Sequence, residues 1–236
     1  MMFGWEGELP QPSVRTMDEM RSVLAEPTCA CEGPLYFMYR DLSRSDKDWR
    51  WLREQHLRYD LTVIPPLNLC GEFVKTKGHY HPKNSKGIGY PEIYEVLEGS
   101  VHYILQHHTL DDVALVSAET GDVVIIPPEY GHVSINPSRD LTLVMANIVS
   151  TAFESEYRQY EIFHGAAYYE MKNGEFKKNP NYPKVPPLRH LAATCGHGTH
   201  RFCKGPIYDL IGNEDALAFL NFPEQFDPVL SVLLKD

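Results

Sequence analysis

Short apolar runs punctuated by Gly, Pro, Asn or Asp fill the middle of this chain. They predict strands over about 71–79, 92–97, 101–107, 113–117, 122–126, 132–136 and 141–149. Upstream, Pro34 to Tyr39 and Leu57 to Pro65 read as two further strands, rich in aromatic and β-branched residues. Thr16 to Glu19 has the form of a capping box, with Met17, Met20 and Leu24 on one face behind it. A short helix ending before Pro27 is expected there. The polar stretch Asp41 to His56 is expected as a loop or short helix. Strands this short and this closely spaced read as an antiparallel sandwich or small barrel.

The last third has a different texture. Tyr157 to Met171 is aromatic, and Met171 to Phe176 reads as a hairpin around Asn173-Gly174. Asn179 to Pro187 holds four prolines and reads as a linker. From residue 206 apolar groups recur at helical spacing, at Ile207, Leu210 and Ile211 and again at Leu217 and Leu220. No internal repeat and no low-complexity segment interrupts the chain.

Within the strand-rich region, His79 and His81 are two apart, so a strand would project both from one face. Glu92, Tyr94 and Val96 repeat that spacing on the next apolar run, and His132 opens another after Pro127-Pro128. Three imidazoles and one carboxylate suit a divalent transition metal better than Mg or Ca. Four protein ligands in an octahedral shell leave two positions for water or substrate. The competing reading is a set of surface or hydrogen-bonded histidines; four such residues recurring within one strand-rich segment favour the metal.

Composition narrows the function classes. The 236 residues suffice for one large domain or a domain with extensions, and 43% hydrophobic with 23% charged is ordinary for a globular protein. A net charge of −10 argues against a nucleic-acid surface, because phosphates would go unneutralised. No run approaches a membrane helix, and the N-terminus lacks a basic region followed by an apolar one. A cytoplasmic protein with neither nucleic-acid nor membrane partner is expected. Five cysteines, at 29, 31, 70, 195 and 203, are an odd number without disulfide-framework spacing, so reduced thiols are the expectation.

Taken together, these residues resemble the cupin superfamily. The first motif is carried by His79, His81, Glu92 and Gly99, and the second by Gly121, Pro127 or Pro128, His132 and Asn136. The stretch from His81 to Glu92 is longer than in that pattern, implying a longer loop at the barrel mouth. The match is closest to the archaeal, metal-dependent glucose-6-phosphate isomerases. It is carried by Leu61 to Pro65, Glu72 to His79, Glu92 to Tyr94, Leu105-Gln106 and Pro34 to Tyr36, and it covers about 16–180.

The resemblance implies a mainly β fold, a cupin double-stranded β-helix (jelly-roll) barrel, with short helices at the N-terminus and in the C-terminal extension. Residues 1–180 would form the isomerase domain with an N-terminal arm, and 181–236 an extension of unknown role. It implies interconversion of glucose 6-phosphate and fructose 6-phosphate by a homodimer holding one divalent transition metal (Fe, Mn, Ni, Co or Zn). The metal ligands would be His79, His81, Glu92 and His132, with Glu92 also the candidate base. The phosphate pocket would be Thr62, Thr76 and Gly78, and Tyr36, Tyr94 and Tyr157 would lie at the substrate. A further family tyrosine falls at Ile148 or Val149, and a family histidine around Ser155, which keeps open an isomerase of another sugar phosphate or a non-catalytic sugar-phosphate-binding cupin. Read as residues alone, Thr62 and Thr76 are strand packing, the tyrosines are amphipathic barrel residues, and Lys75 and Lys77 are solvated unless they face the mouth.

One cluster lies outside the resemblance. Cys195, His197, His200 and Cys203 could close a tetrahedral zinc shell, but their spacing fits no familiar finger, and a loop with two buried cysteines is the favoured reading.

Overall fold

The computed structural model describes residue 5 and residues 8–193, 205–226 and 230; Cys195, His197, His200 and Cys203 lie outside them. The first strands are β1 (Ser13–Thr16), β2 (Pro34–Tyr39), β3 (Leu57–Ile64), β4 (Asn68–Leu69), β5 (Glu72–Phe73), β6 (Glu92–Glu98) and β7 (Ser100–His107). They are followed by β8 (Val113–Glu119), β9 (Val123–Ile126), β10 (Tyr130–Ile135), β11 (Leu143–Ser150), β12 (Tyr168–Glu170), β13 (Phe176–Lys178) and β14 (Leu188–Ala192). Helices α1 (Met17–Met20), α2 (Asp46–Glu54), α3 (Arg158–Ile162) and α4 (Glu214–Leu217) are short.

Six strands form one sheet in the order β1-β2-β3-β11-β6-β9, and four form a second in the order β10-β7-β8-β14. Apolar side chains from both sheets, among them Val96, Tyr103, Leu105, Val124, Val133 and Met145, share one core. The result is the expected mainly β fold, two sheets closed on one core as in a jelly roll. The expected capping box forms at Thr16 and Glu19, where Glu19 takes the Thr16 N–H at 2.9 Å. The stretch after Asp41 becomes α2, whose N-cap Ser45 side chain accepts the Asp48 N–H. The expected hairpin forms as β12 and β13 around Asn173-Gly174. Gly99, at φ +83°, makes the tight link from β6 to β7; a Cβ there would sit 2.8 Å from the Thr142 carbonyl oxygen.

Four expectations need correction. The strand expected over 71–79 is regular only in β5; beyond it the chain runs beside β10 through isolated bridges, Lys75 to Ile135 and His79 to His132. The regular ladder fails because the Thr76 hydroxyl oxygen, not a main-chain carbonyl, accepts the Ser134 N–H at 3.0 Å. The proline-rich stretch 179–187 is not a free linker: Asn179 donates to the Phe163 and Ala166 carbonyls, and the Tyr182 ring stacks on Phe163 at 4.3 Å. Leu188–Ala192, not expected as a strand, is β14, pairing parallel to the edge of β8. Finally, the thiols are not all reduced, because Cys29 and Cys70 are joined by a disulfide. The pairing spans 41 residues and was invisible in the spacing.

The six-stranded sheet is buried on both faces. Along β3, β6 and β11, residues such as Thr62, Tyr94 and Asn147 point inward, while Leu61, Ile93, Ala146 and Ile148 point outward into a second core. That second core is closed by Ile207, Leu217, Phe219 and Leu220 of the C-terminal segment. The Ile207 N–H donates to Glu95 at 2.8 Å, and the Tyr208 ring meets Tyr59 edge-on at 4.9 Å. The helical spacing read in this segment becomes single turns, each placing one or two apolar groups on the sheet. Leu220→Ala, at a position with no solvent exposure, is expected to cost about 2–5 kcal/mol of unfolding free energy in urea. A change below about 0.5 kcal/mol would show that the segment does not hold the sheet.

Candidate metal centre

Three strand elements deliver the four candidate ligands. The His79 N–H donates to the His132 carbonyl at 3.3 Å, and the His132 N–H returns the bond at 3.0 Å. This reciprocal pair sets the two imidazoles side by side, ring centroids 4.4 Å apart. His81 lies one pleat further on, and Glu92 opens β6 across the barrel. One ligand atom from each of the four lies within 4.8 Å of the others.

Each ligand is oriented by a further contact. His81 Nδ1 donates to the Tyr90 carbonyl at 2.8 Å, which fixes the tautomer and leaves Nε2 as a lone-pair donor facing Glu92. Tyr90 belongs to the long loop between His81 and Glu92, and that loop is tied down by Asn84, whose side-chain oxygen accepts the Lys86 and Ile88 N–H groups. Glu92 Oε1 accepts from Asn147 Nδ2 at 2.7 Å. Glu92 Oε2 sits 3.5 Å from both His81 Nε2 and His132 Nε2. The Tyr94 hydroxyl lies 3.1 Å from His132 Nε2.

The electrostatics match a cation site. Burial pushes His79 down to about 3 and His81 to about 4, and it holds His132 well below the ordinary histidine value, with neighbouring imidazoles adding to the effect for His79 and His132. All three are therefore neutral at pH 7, the form that ligates a metal. Burial pushes Glu92 the other way, to about 8, with the Arg58 guanidinium opposing. Glu92 Oε2 and His132 Nδ1 are buried and make no hydrogen bond among the described residues. At pH 7 burial keeps Glu92 a neutral carboxyl; a divalent transition metal would favour its ionised form and satisfy the oxygen left bare among three neutral imidazoles, so the residues fit such an ion.

The ligands floor a cavity of about 490 Å³. Tyr36, Thr62, Thr76, Tyr94 and Tyr157 all line it. Gly78 does not: the space a Cβ would take is filled by the Tyr160 ring at 2.3 Å and by Val133. Lys77 lines the cavity, but Lys75 is buried and bonded to Glu72, so only one of the two lysines faces the opening. Val149 and Ser155 line it too, whereas Ile148 faces the outer core.

Sequence reasoning missed four polar residues here. Asn147 holds Glu92, and Arg15 comes from β1, far back in the chain. Arg15 Nε is buried and makes no hydrogen bond among the described residues, and its guanidinium lies 6.0 Å from the Tyr157 ring centre. Lys77 Nζ is 5.4 Å from the same ring. Arg40 and Arg58, also at the cavity, both bond the buried Asp60 carboxylate, at 2.7 and 2.8 Å. The inward alternation of β3 pointed to Arg58; nothing local marked Arg15 or Asn147.

Comparison with known proteins places these features. The family model described as Glucose-6-phosphate isomerase (GPI) matches residues 14–187. A glucose-6-phosphate isomerase of Thermococcus litoralis is 34% identical over 84 residues, covering 36% of this chain and 42% of that protein. One from Pyrococcus abyssi is 30% identical over 115 residues, covering 49% and 55%. The chain thus spans about half the length of the curated relatives it matches. Among solved structures, an oxalate oxidase superposes at TM-score 0.40 and 12% identity, covering 54% of this chain and 57% of that one.

Two outcomes are expected of this centre. Purified protein should carry one divalent transition metal per described site, lost in His79→Ala without loss of the barrel. Asn147→Ala should weaken metal affinity by about 10–100-fold in competition with a chromophoric chelator. Unchanged affinity would mean that Asn147 only packs.

Proposed function

Because the chain belongs to the glucose-6-phosphate isomerase family, we propose that it interconverts glucose 6-phosphate and fructose 6-phosphate in the cavity above the four-ligand cluster. The observation that carries this reading is the cavity's two-ended chemistry. One end offers a His/Glu cation site, and the other offers cations and hydroxyls around Tyr157. The phosphate lies against Arg15, Lys77 and Thr76, with Thr62 beside them. A guanidinium with a free N–H and a hydroxyl whose proton is uncommitted are good donors to a dianion. Tyr36 is held in place there by the Lys77 N–H, which donates to its hydroxyl at 3.0 Å.

Isomerisation moves hydrogen between C1 and C2. When bound, a divalent metal (Fe, Mn, Ni, Co or Zn) supplies Lewis-acid polarisation of the substrate oxygens. Glu92 is the base: Oε2 faces the imidazoles, while Oε1 keeps one lone pair beside the bond from Asn147 and takes the proton, giving an enediolate. Asn147 holds the carboxylate so that the two oxygens keep separate tasks. Phe153, its ring 4.5 Å from His81 and stacked on Tyr90, closes the wall over this end against water.

A second reading is favoured by Val149 and Ser155, which offer no ring to a sugar where the family has a tyrosine and a histidine. The chain would then act on another sugar phosphate, or bind one without turnover. A coupled assay with fructose 6-phosphate, with and without chelator, decides between them: chelator-sensitive turnover supports the isomerase, and its absence in metal-loaded protein removes it. Early product formed in deuterated water should carry solvent deuterium at C1 or C2. Product free of deuterium would replace the Glu92 route by a hydride shift.

Thr76→Val removes a hydroxyl from the phosphate end. A hydrogen bond to a charged acceptor is worth about 1.5–3 kcal/mol, so KM for the phosphorylated sugar should rise about ten- to a hundredfold with little change in kcat. An unchanged KM would make Thr76 a packing residue.

A further inference from the structure

Away from the metal centre, Cys29, Cys31 and Cys70 place their three sulfur atoms within 4.8 Å of one another. Cys29 is buried and bonded to Cys70, which is exposed at the turn between β4 and β5. Cys31 is a free, partly exposed thiol. Its Sγ lies 3.4 Å from Cys29 Sγ and 3.4 Å from the Asn68 carbonyl oxygen. The backbone of the Cys29-Ala30-Cys31 segment is clamped by Arg21, which donates to the Cys29 carbonyl at 2.6 Å and to the Cys31 carbonyl at 3.2 Å.

A packed core needs none of this. A structural disulfide calls for two cysteines, and a third thiol at contact distance from one of its sulfurs has a chemical consequence. Thiol and disulfide react by direct attack of a thiolate on sulfur, at a rate set by thiolate fraction and access. Holding the attacker about 3–3.5 Å from its target removes most of the entropic barrier. Cys31 is held at that distance by a backbone that Arg21 fixes on both sides; its sulfur lies to the side of the Cys29–Cys70 bond, and a turn about the Cys31 Cα–Cβ bond is what brings it into line.

We propose that Cys29, Cys31 and Cys70 form a thiol–disulfide exchange site that switches the partner of Cys29 between Cys70 and Cys31. The Cys31 thiolate attacks Cys29 Sγ. The Cys29–Cys31 bond forms as the Cys29–Cys70 bond breaks, and the electron pair leaves on Cys70 Sγ, which takes up the proton that Cys31 gave. No oxidant or reductant is consumed. The freed Cys70 thiol is the exposed one, so it is the thiol that a small external disulfide such as glutathione disulfide meets.

The exchange reaches toward the cavity through short covalent distances. Cys70 precedes Glu72, whose carboxylate accepts the Ala25 N–H at 2.9 Å and pairs with the buried Lys75. Thr76 and His79 follow on the same stretch, and both line the cavity. The Cys29–Cys70 bond thus fastens the 25–29 segment to the root of the stretch that carries the substrate and metal groups. The exchanged form unfastens it.

The test uses the full chain in glutathione redox buffer, blocked with iodoacetamide and mapped by mass spectrometry without reduction. Wild type should give two populations, one with Cys31 blocked and one with Cys70 blocked and a Cys29–Cys31 bond. Cys70→Ser should retain the Cys29–Cys31 bond, and Cys31→Ser should show only the Cys29–Cys70 bond. Amide exchange over 72–79 should be faster in Cys70→Ser than in Cys31→Ser, a difference that loss of a thiol alone does not produce. The proposal is overturned if Cys31 is blocked in every wild-type molecule, if Cys70→Ser leaves Cys29 and Cys31 both blocked, or if oxidising buffer forms no bond among the three. None of these readouts depends on isomerase activity.

Discussion

Burying the Glu92 carboxyl group among three imidazoles is the arrangement the rest of this barrel serves. Without a cation, Glu92 Oε2 has given up water and gained no hydrogen bond among the described residues. Such a group costs free energy, and the protein holds it rigidly all the same. Asn147 fixes one carboxylate oxygen, the Tyr90 carbonyl fixes His81, and a reciprocal main-chain pair fixes His79 against His132. Each orienting group comes from a different strand or loop, so the sheet register itself defines the site. A slip of one residue in β6 would send Glu92 and Tyr94 to the outer core and bring Ile93 inward.

The same register sorts charge. The chain carries −10 overall, yet Arg15, Arg40, Arg58 and Lys77 all reach one cavity. Arg40 and Arg58 are held by Asp60, which spends one carboxylate on two guanidiniums. Arg15 and Lys77 flank Tyr157, each paired with a carboxylate, Glu19 and Glu161, while Arg15 Nε keeps a donor without a partner among the described residues. Local charge at this cavity therefore opposes the global balance.

Support for the site comes from behind. The inward-facing polar residues of β3 and β11 deprive those strands of apolar contacts on that side. Their outward residues compensate by packing under Ile207, Leu217, Phe219 and Leu220. A two-sided sheet lets a polar cavity exist without thinning the core to nothing. The C-terminal segment is therefore part of what holds the His/Glu cluster still, although it contributes no described side chain to the cavity.

Sequence alone determined the strands from β6 to β11, the gathering of His79, His81, Glu92 and His132, and the inward face of β6. These follow from a period of two and from residue types that have few other uses together. The capping box at Thr16 and the Asn173-Gly174 hairpin were legible for the same reason: their physics is local. Tertiary structure alone decided the rest. Arg15 and Asn147 join the site only because β1 and β11 fall where the sheet order places them. The Lys75 charge is buried because Glu72 lies within reach, and the absence of a side chain at Gly78 serves the Tyr160 ring rather than the cavity. Cys29 found Cys70 across 41 residues, and Leu188–Ala192 found the open edge of β8. Contacts between distant segments depend on the closure of the whole chain, and no window along the sequence contains both partners.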